Sequence, residues 1–563
     1  VTDDATGTIL PSSAESAESK TPTAQPLPET TAQPASAAAP AQPESVREAL
    51  AEIEGDATFQ PLPAPSLPPA PVTTVPPAIS PSGHPRWLFP LALLLTLALS
   101  LALRFYGINW DENQHAHPDE RWITMVSVDI SWPKELSKAL DPRLSSLNPL
   151  WNLNDKAPRN FAYGHLPLYI VALSAELLEN VGKLAPRLLF WPELSRAVAS
   201  LSRLSGYDQV TIWGRVLSAL ADFGVILLIY AIGRRLYGRW VGLLAAAFVT
   251  LTVSHIQLAH FGTFDTFAAF FIVLTVYGSL GIWKRGNWRD VLLAGAAAGM
   301  AVSSKFSATP VLLAPAIACL ARVLTLPAAP EGQPSDAHSA SDRVTLLLKL
   351  GLGCLAIALL FFALTSPFAL LDMKQFIRQI NEQSAMVRGI ADFPYTRQYR
   401  NTPAYLYQIE QQLRWGMGWP LGIVAFAGLA YFVLRNLVRH PRRARWGDLI
   451  ILAWVLPYFI INGSFMVKFM RYMLPLLPFL SLMGAELLAQ LAQALQNTRF
   501  NLAHRSIRPA WGIWAIITLV LITTLGYAIA FTSIYGRTHS WIAASRWIYE
   551  NIPAGATLAE EHW

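Results

Sequence analysis

Four acids and two histidines crowd the stretch ALRFYGINWDENQHAHPDERWITMV, residues 102–126, directly behind the first long apolar run: Asp111, Glu112, His115, His117, Asp119 and Glu120, in a chain only 14% charged. Other ionisable residues stand at the ends of later apolar runs: Asp265 in HFGTFDTF, Lys305 in AVSSKFS, and Lys468 and Arg471 in VKFMRYMLPLLP. A carboxylate can accept the proton of an attacking hydroxyl, and lysine or arginine can neutralise charge growing on a departing phosphate. Arginine grips phosphate through two parallel hydrogen bonds, whereas lysine supplies a point charge. Transfer of a sugar from a lipid-linked phosphate to a hydroxyl needs both kinds of group at a lipid-water boundary. Alternate histidines beside carboxylates also invite zinc, but no third or fourth ligand follows by spacing.

The elements that must position these residues are apolar runs of about twenty residues, the length that crosses hydrocarbon. With 53% hydrophobic residues and a mean hydropathy of +0.34, the 563-residue chain reads as an all-α polytopic membrane protein. The first run is 87–103. Ten more are expected at about 210–232, 240–258, 264–283, 289–304, 307–324, 344–366, 417–434, 448–463, 470–492 and 511–532, giving about 11 transmembrane helices. The loops after the even-numbered runs carry Arg or Lys, as in GRRLYGR, WKRGNWR and RNLVRHPRRAR. By the positive-inside rule they are cytoplasmic, in a plasma-membrane protein whose N-terminus is cytoplasmic too. The net charge of +6 is thereby accounted for without nucleic acid. The two cysteines, Cys319 and Cys354, sit inside apolar runs and announce neither a disulfide framework nor a thiolate metal site.

Residues 1–84, rich in Pro, Ala, Ser and Thr, are expected to form a disordered cytoplasmic tail. The segment FAYGHLPLYIVALSAELLENV, 161–181, is apolar enough to resemble a span, but counting it would invert the charge bias of every later loop. It is placed instead as an interfacial helix on the outer surface. The outer face then owns two large loops, about 105–209 and 367–416, and with them Asp111, Asp119, Glu120, Asp265, Lys305, Lys468 and Arg471. The second loop adds Arg400 amid tyrosines and tryptophans suited to sugar faces. Ionisable groups at membrane depth are costly, so their convergence on one side suggests a polar cavity with a use. Residues 536–563 read as an amphipathic helix, a PAG turn and a strand, the start of an outer segment expected to be truncated.

The sequence resembles the type C integral-membrane glycosyltransferases (GT-C), in the broad group of protein O-mannosyltransferases and the lipid A aminoarabinose transferase. The resemblance rests on HPDERW, RVLSALADFGVILLIY, HFGTFDTFAAFF, SSKFSATPVLLAPA and RYMLPLLPFL, and covers roughly residues 87–535. It implies Asp119 as the acceptor-activating base, Glu120 as its close partner, and Asp265 as an acid shaping the pocket. Lys305 and Arg471 match positions near the donor phosphate, and Lys468 matches more weakly. The chain departs from the pattern in having a second acidic pair, Asp111 and Glu112. The resemblance further implies a phospholipid-carrier-dependent glycosyltransferase domain over about 85–535, with no required cofactor, leaving room for a divalent cation.

The expected function is transfer of a sugar from a polyprenyl-phosphate donor to a protein, lipid or glycan acceptor on the extracytoplasmic face. Displacement with a single base implies inversion at the anomeric carbon. Plainer readings stand beside it: Asp119 and Glu120 as acids favoured at a helix start, Asp265 as a cap, Lys305 as a snorkelling lysine, and Arg215 with Asp222 as polar contacts between helices. The rivals are a secondary transporter or lipid flippase, which wants charges along a path through the bilayer, and a noncatalytic subunit of a membrane assembly.

Overall fold

The computed structural model describes residues 87–559, apart from 189–190, 327–339, 440–444, 497–499, 503–504 and 508–509. The expected tail 1–84 lies outside the described residues, as do most of the loop between the sixth and seventh runs and the basic pair Arg442 and Arg443.

The protein is an integral multi-pass membrane protein built of helices. In chain order these include α1 (Leu88–Phe105), α2 (Pro118–Ser127), α3 (His165–Leu188), α4 (Tyr207–Tyr237), α5 (Arg239–Leu251), α6 (Val253–Ala259), α7 (Asp265–Arg285), α8 (Trp288–Ser304), α9 (Leu313–Leu324) and α10 (Ala340–Thr365). Then follow α11 (Met373–Val387), α12 (Trp419–Val433), α13 (Trp446–Ser464), α14 (Leu477–Leu495), α15 (Ala510–Thr532) and α16 (Ser540–Asn551). Two short hairpins pair Trp151–Asn152 with Ala157–Pro158 and Phe500–Leu502 with Arg505–Ile507. Among the described residues, 556–559 carry no strand, so the end expected after the PAG turn is not seen there.

Nine helices among the described residues are long and apolar enough to span a membrane, or 10 if the pair α5 and α6, bent by 60°, is one span. The sequence led us to expect eleven. The difference is α8, only 17 residues long and rich in Ala and Gly. It nevertheless runs back alongside α7, because the two are pinned at both ends. Gly286 turns the chain with φ +65°, a left-handed conformation that costs glycine nothing, and Arg285 Nε donates to Asp290 Oδ2 at 2.9 Å. At the other end Lys305, just past α8, meets Asp265, the first residue of α7.

The apolar run at 161–181 becomes α3 and is not among the candidate spans. Leu168, Val171, Ala172 and Ala175 of α3 are buried while Leu177, Val181 and Leu184 are exposed, the two-faced pattern of an amphipathic helix. The core of the bundle runs through α4, α5, α7, α12, α13 and α14, whose buried side chains form one continuous cluster. Ile123, Val126, Leu150, Phe161 and Leu168 form a smaller core under the loop between α1 and α4. That second core gives the acid-bearing loop a solid floor.

Candidate active site

Asp119 is placed by local chemistry. Pro118 occupies the first helical position of α2, where its missing N–H costs nothing, and His117 caps the helix, its Nδ1 accepting the Glu120 N–H at 3.2 Å. From there the Asp119 carboxylate accepts a hydrogen bond from Arg471 Nη1, a residue 352 positions away in the 3₁₀ turn Met470–Leu476 that leads into α14. Beside it Lys305 Nζ donates to Asp265 Oδ1 at 2.6 Å. Arg471 is also within electrostatic reach of Asp265, and His117 feels Asp119, Glu120, Arg471 and Asp265 together. Four distant segments therefore bring two acids and two cations to one place.

The cluster is reachable. The side chains of Asp119, Arg471 and Lys305 keep 25%, 27% and 28% of their exposure. Aromatic rings wall it: Lys305 Nζ lies 5.1 Å from the Tyr472 ring centre, and Arg471 Cζ 4.9 Å from that of Phe469. Cations held over ring faces gain from the ring quadrupole while keeping hydrogens free for a ligand. Tyr163 stands against Asp119, and burial together with that negative charge pushes its hydroxyl well above the usual tyrosine range. Burial likewise holds the His117 imidazole below its ordinary value, so that its Nδ1 stays an acceptor at neutral pH.

Asp111 and Glu120 lie apart from this opening. Arg215, a little over two turns into α4, grips both: Nη1 and Nη2 donate to Asp111 at 3.0 and 2.8 Å, while Nε and Nη2 donate to Glu120 at 2.8 and 2.7 Å. Glu120 also accepts the Gly262 N–H at 2.6 Å, and Asp111 the Ala116 N–H at 3.1 Å. All three side chains are at most 1% exposed. Burial works against the Asp111 charge, yet the Arg215 fork and the Ala116 N–H outweigh it and hold the carboxyl below the usual range. Glu112, the other half of the upstream pair, is exposed and bound to Arg546 of α16 at 2.6 Å.

Two of the expected phosphate-binding cations are not drawn into the cluster. Arg400 is exposed and donates to Asp392 at 2.8 Å. Lys468 is buried in a neighbouring cavity, bonded to Thr402 Oγ1 and the Met466 carbonyl. Sequence reasoning missed Tyr163 and Tyr472 as neighbours of the acids, with no spacing signal to point to them, and weighed His117 only as a zinc ligand, not as the cap of α2. Arg215 did carry a signal, since an arginine in an apolar run needs an acid partner. Among the described residues no group of three His, Cys, Asp or Glu could hold a metal ion.

Three solved structures are similar over most of the chain. The Archaeoglobus fulgidus oligosaccharyltransferase in the apo form is 14% identical with a TM-score of 0.47, over 84% of this chain and 59% of its own. The Archaeoglobus fulgidus AglB in complex with an inhibitory peptide and a dolichol-phosphate is 16% identical with a TM-score of 0.46, over 84% and 58%. ArnT from Cupriavidus metallidurans bound to undecaprenyl phosphate is 15% identical with a TM-score of 0.46, over 82% and 80%. The chain thus spans less than two thirds of the oligosaccharyltransferases it matches. No curated protein matches it. Residues 199–327, which hold Arg215, Asp265 and Lys305, match the model of the dolichyl-phosphate-mannose-protein mannosyltransferase family, and over that stretch the family resemblance read from the motifs is shown.

Proposed function

We propose that the chain is a membrane glycosyltransferase that passes a sugar from a polyprenyl-phosphate donor to a hydroxyl of a protein, lipid or glycan acceptor, on the extracytoplasmic face. The observation that carries this reading is the reachable pairing of Asp119 with Arg471 beside Asp265 with Lys305. Asp119 takes the acceptor proton as the hydroxyl attacks the anomeric carbon. Arg471 turns from Asp119 toward the phosphate as negative charge builds on it, and Lys305, held in place by Asp265, points a remaining ammonium hydrogen at the same phosphate. A single base and direct displacement invert the anomeric centre. Asp111 and Glu120 act in this reading as positioning residues, anchoring through Arg215 the loop and helix that carry Asp119. The reaction as drawn calls for no cofactor; a divalent cation could enter with the donor phosphate.

The same reading divides the chain into a cytoplasmic tail over 1–84, a transferase domain over 85–535 and an outer segment from 536. Its test is Asp119→Asn, reconstituted with a set of lipid-linked sugar donors. Removing a general base costs about 10²- to 10⁴-fold in rate, so transfer is expected to fall to background while donor binding persists. Full transfer by the variant would overturn the assignment of the base.

The transporter rival has one observation in its favour, a fully buried network inside the bundle. Arg104 Nε bonds Asp222 at 2.6 Å, and Asp222 also meets His255. Arg104, however, also donates to the Thr250 and Val249 carbonyls at the bend between α5 and α6, a local structural task.

A further inference from the structure

At the end of the bundle opposite the acid-cation cluster, three helices bring their cations together. α7 is 21 residues long, about 30 Å at 1.5 Å per residue, so Lys284 and Arg285 lie a hydrocarbon thickness away from Asp265. Arg235 of α4 is within electrostatic reach of both. Arg322 of α9 joins them: its Nη1 donates to the Lys284 carbonyl at 3.4 Å, and its guanidinium folds over Gly286, where an added Cβ would fall 2.8 Å from Nε. Aromatic rings hold the other two, Arg235 Cζ at 5.6 Å from the Tyr277 ring centre and Lys284 Nζ at 5.2 Å from that of Trp283. Among the described residues Arg235, Lys284 and Arg322 have no carboxylate partner. Asp290 is within reach of Arg235 but is bonded to Arg285.

The positive-inside rule asks only that the loops carry cations. It does not ask two arginines, Arg235 and Arg322, to be half-buried beside like charges, an arrangement that Coulomb repulsion opposes unless an anion sits among them. The neighbouring surface says what bears the anion. Leu313, Leu320 and Leu324, seven and four positions apart, are exposed on one face of α9, and on a helix in a bilayer such a face meets acyl chains. We propose that Arg235, Lys284 and Arg322 form a binding site for the phosphate head of an anionic membrane phospholipid, its chains lying along the exposed leucines of α9. Basic pockets between spans take such heads by charge and hydrogen bonds together. The bound head neutralises the cluster and ties the ends of α4, α7 and α9 to one another, remote from the reacting groups and independent of what they transfer.

The test titrates the full chain, purified in a neutral detergent, with phosphatidylglycerol or phosphatidylcholine and counts retained lipid by native mass spectrometry. The parent is expected to hold phosphatidylglycerol about tenfold or more tighter than phosphatidylcholine, the equivalent of one charge-assisted hydrogen bond. Arg235→Gln and Arg322→Gln should each lose most of that preference. Arg235→Lys keeps the charge and should keep the preference, which excludes misfolding as the cause. Arg289→Gln removes an exposed cation of the same surface and should change nothing; a loss there equal to that in Arg235→Gln would reduce the effect to diffuse surface charge and overturn the site. No preference in the parent, or a preference intact in both glutamine variants, overturns it too. Inorganic pyrophosphate serves as the soluble competitor. A lipid preference that persists in its presence supports the lipid as occupant, whereas pyrophosphate bound by a parent indifferent to phosphatidylglycerol would give the site to a soluble oxyanion and sink the proposal.

Discussion

Arg215 shows how one side chain decides which acids are free to react. Its guanidinium satisfies two carboxylates that are 1% exposed, leaving Asp119 as the member of HPDERW that meets the opening. Replacing it with an apolar residue of similar length, Arg215→Met, strands two buried charges, and breaking a buried ion pair from one side costs about 3–5 kcal/mol. The pH dependence follows from the direction of the Asp111 shift. A carboxyl depressed in the folded state contributes stability that is complete above its ordinary value of about 3.9 and is lost as the pH falls from there through its lower folded value. In Arg215→Met the Asp111 carboxyl has lost its cation, so burial raises it and it protonates early. The gap in thermal midpoint between parent and variant is therefore expected to be widest near neutral pH and to narrow toward about pH 4. A gap independent of pH would mean that Arg215 acts through packing rather than charge.

At the scale of elements, the loop before α3 ties the two halves of the site together. Gly164 lies so close to the end of α8 that an added Cβ would fall 2.1 Å from the Ser304 carbonyl oxygen and 2.3 Å from that of Ser303. These are backbone atoms with little room to yield, and Lys305 is the next residue. On the other side of Gly164 is Tyr163, which stands against Asp119. Gly164→Ala should push this loop off α8, at a cost of about 1–3 kcal/mol for overpacking, and separate Tyr163 from Asp119. The expected result is a transfer rate reduced about tenfold or more in protein that still purifies folded, checked by single-turnover transfer beside thermal unfolding. Unchanged turnover would show that the approach of this loop to α8 is incidental to the site. None of this was legible in the sequence, where Gly164 falls inside the apolar segment 161–181 read as one interfacial helix. What was legible there has a local cause. Runs of apolar residues marked the helices to within a few positions, and Pro118 with the acids behind it marked the start of α2. Arg215 meets partners 104 and 95 positions away, and Asp119 meets Arg471 across 352. Periodicity speaks only for neighbours a turn or two apart, so those pairings had to come from packing.

For the whole molecule, the bent pair α5 and α6 decides by parity which side of the membrane the cluster faces. The pair starts at Gly238, directly after α4, and ends at His260, whose Nε2 meets the Tyr106 carbonyl at 2.9 Å, one residue past α1. Gly262 then bonds Glu120. The pair thus travels from the end of α4 opposite the site to the end that bears it, as a broken span does and a re-entrant loop does not. With the pair counted as a crossing, the loop after α1 and the turn after α7 fall on opposite faces. The basic residues Arg234, Arg235, Lys284 and Arg285 gather at the latter end, which the positive-inside rule assigns to the cytoplasm. Leu136 is 88% exposed in the first loop, and Arg289 is exposed beyond the α7 turn. Both native cysteines are buried, so single substitutions suffice as reporters. In intact cells a membrane-impermeant thiol reagent is expected to label Leu136→Cys and to reach Arg289→Cys only after permeabilisation. The reversed pattern would put the acids in the cytoplasm, away from any donor displayed outside. Labelling of both in intact cells would make α5 and α6 a re-entrant pair and remove the basis for an extracytoplasmic transfer site.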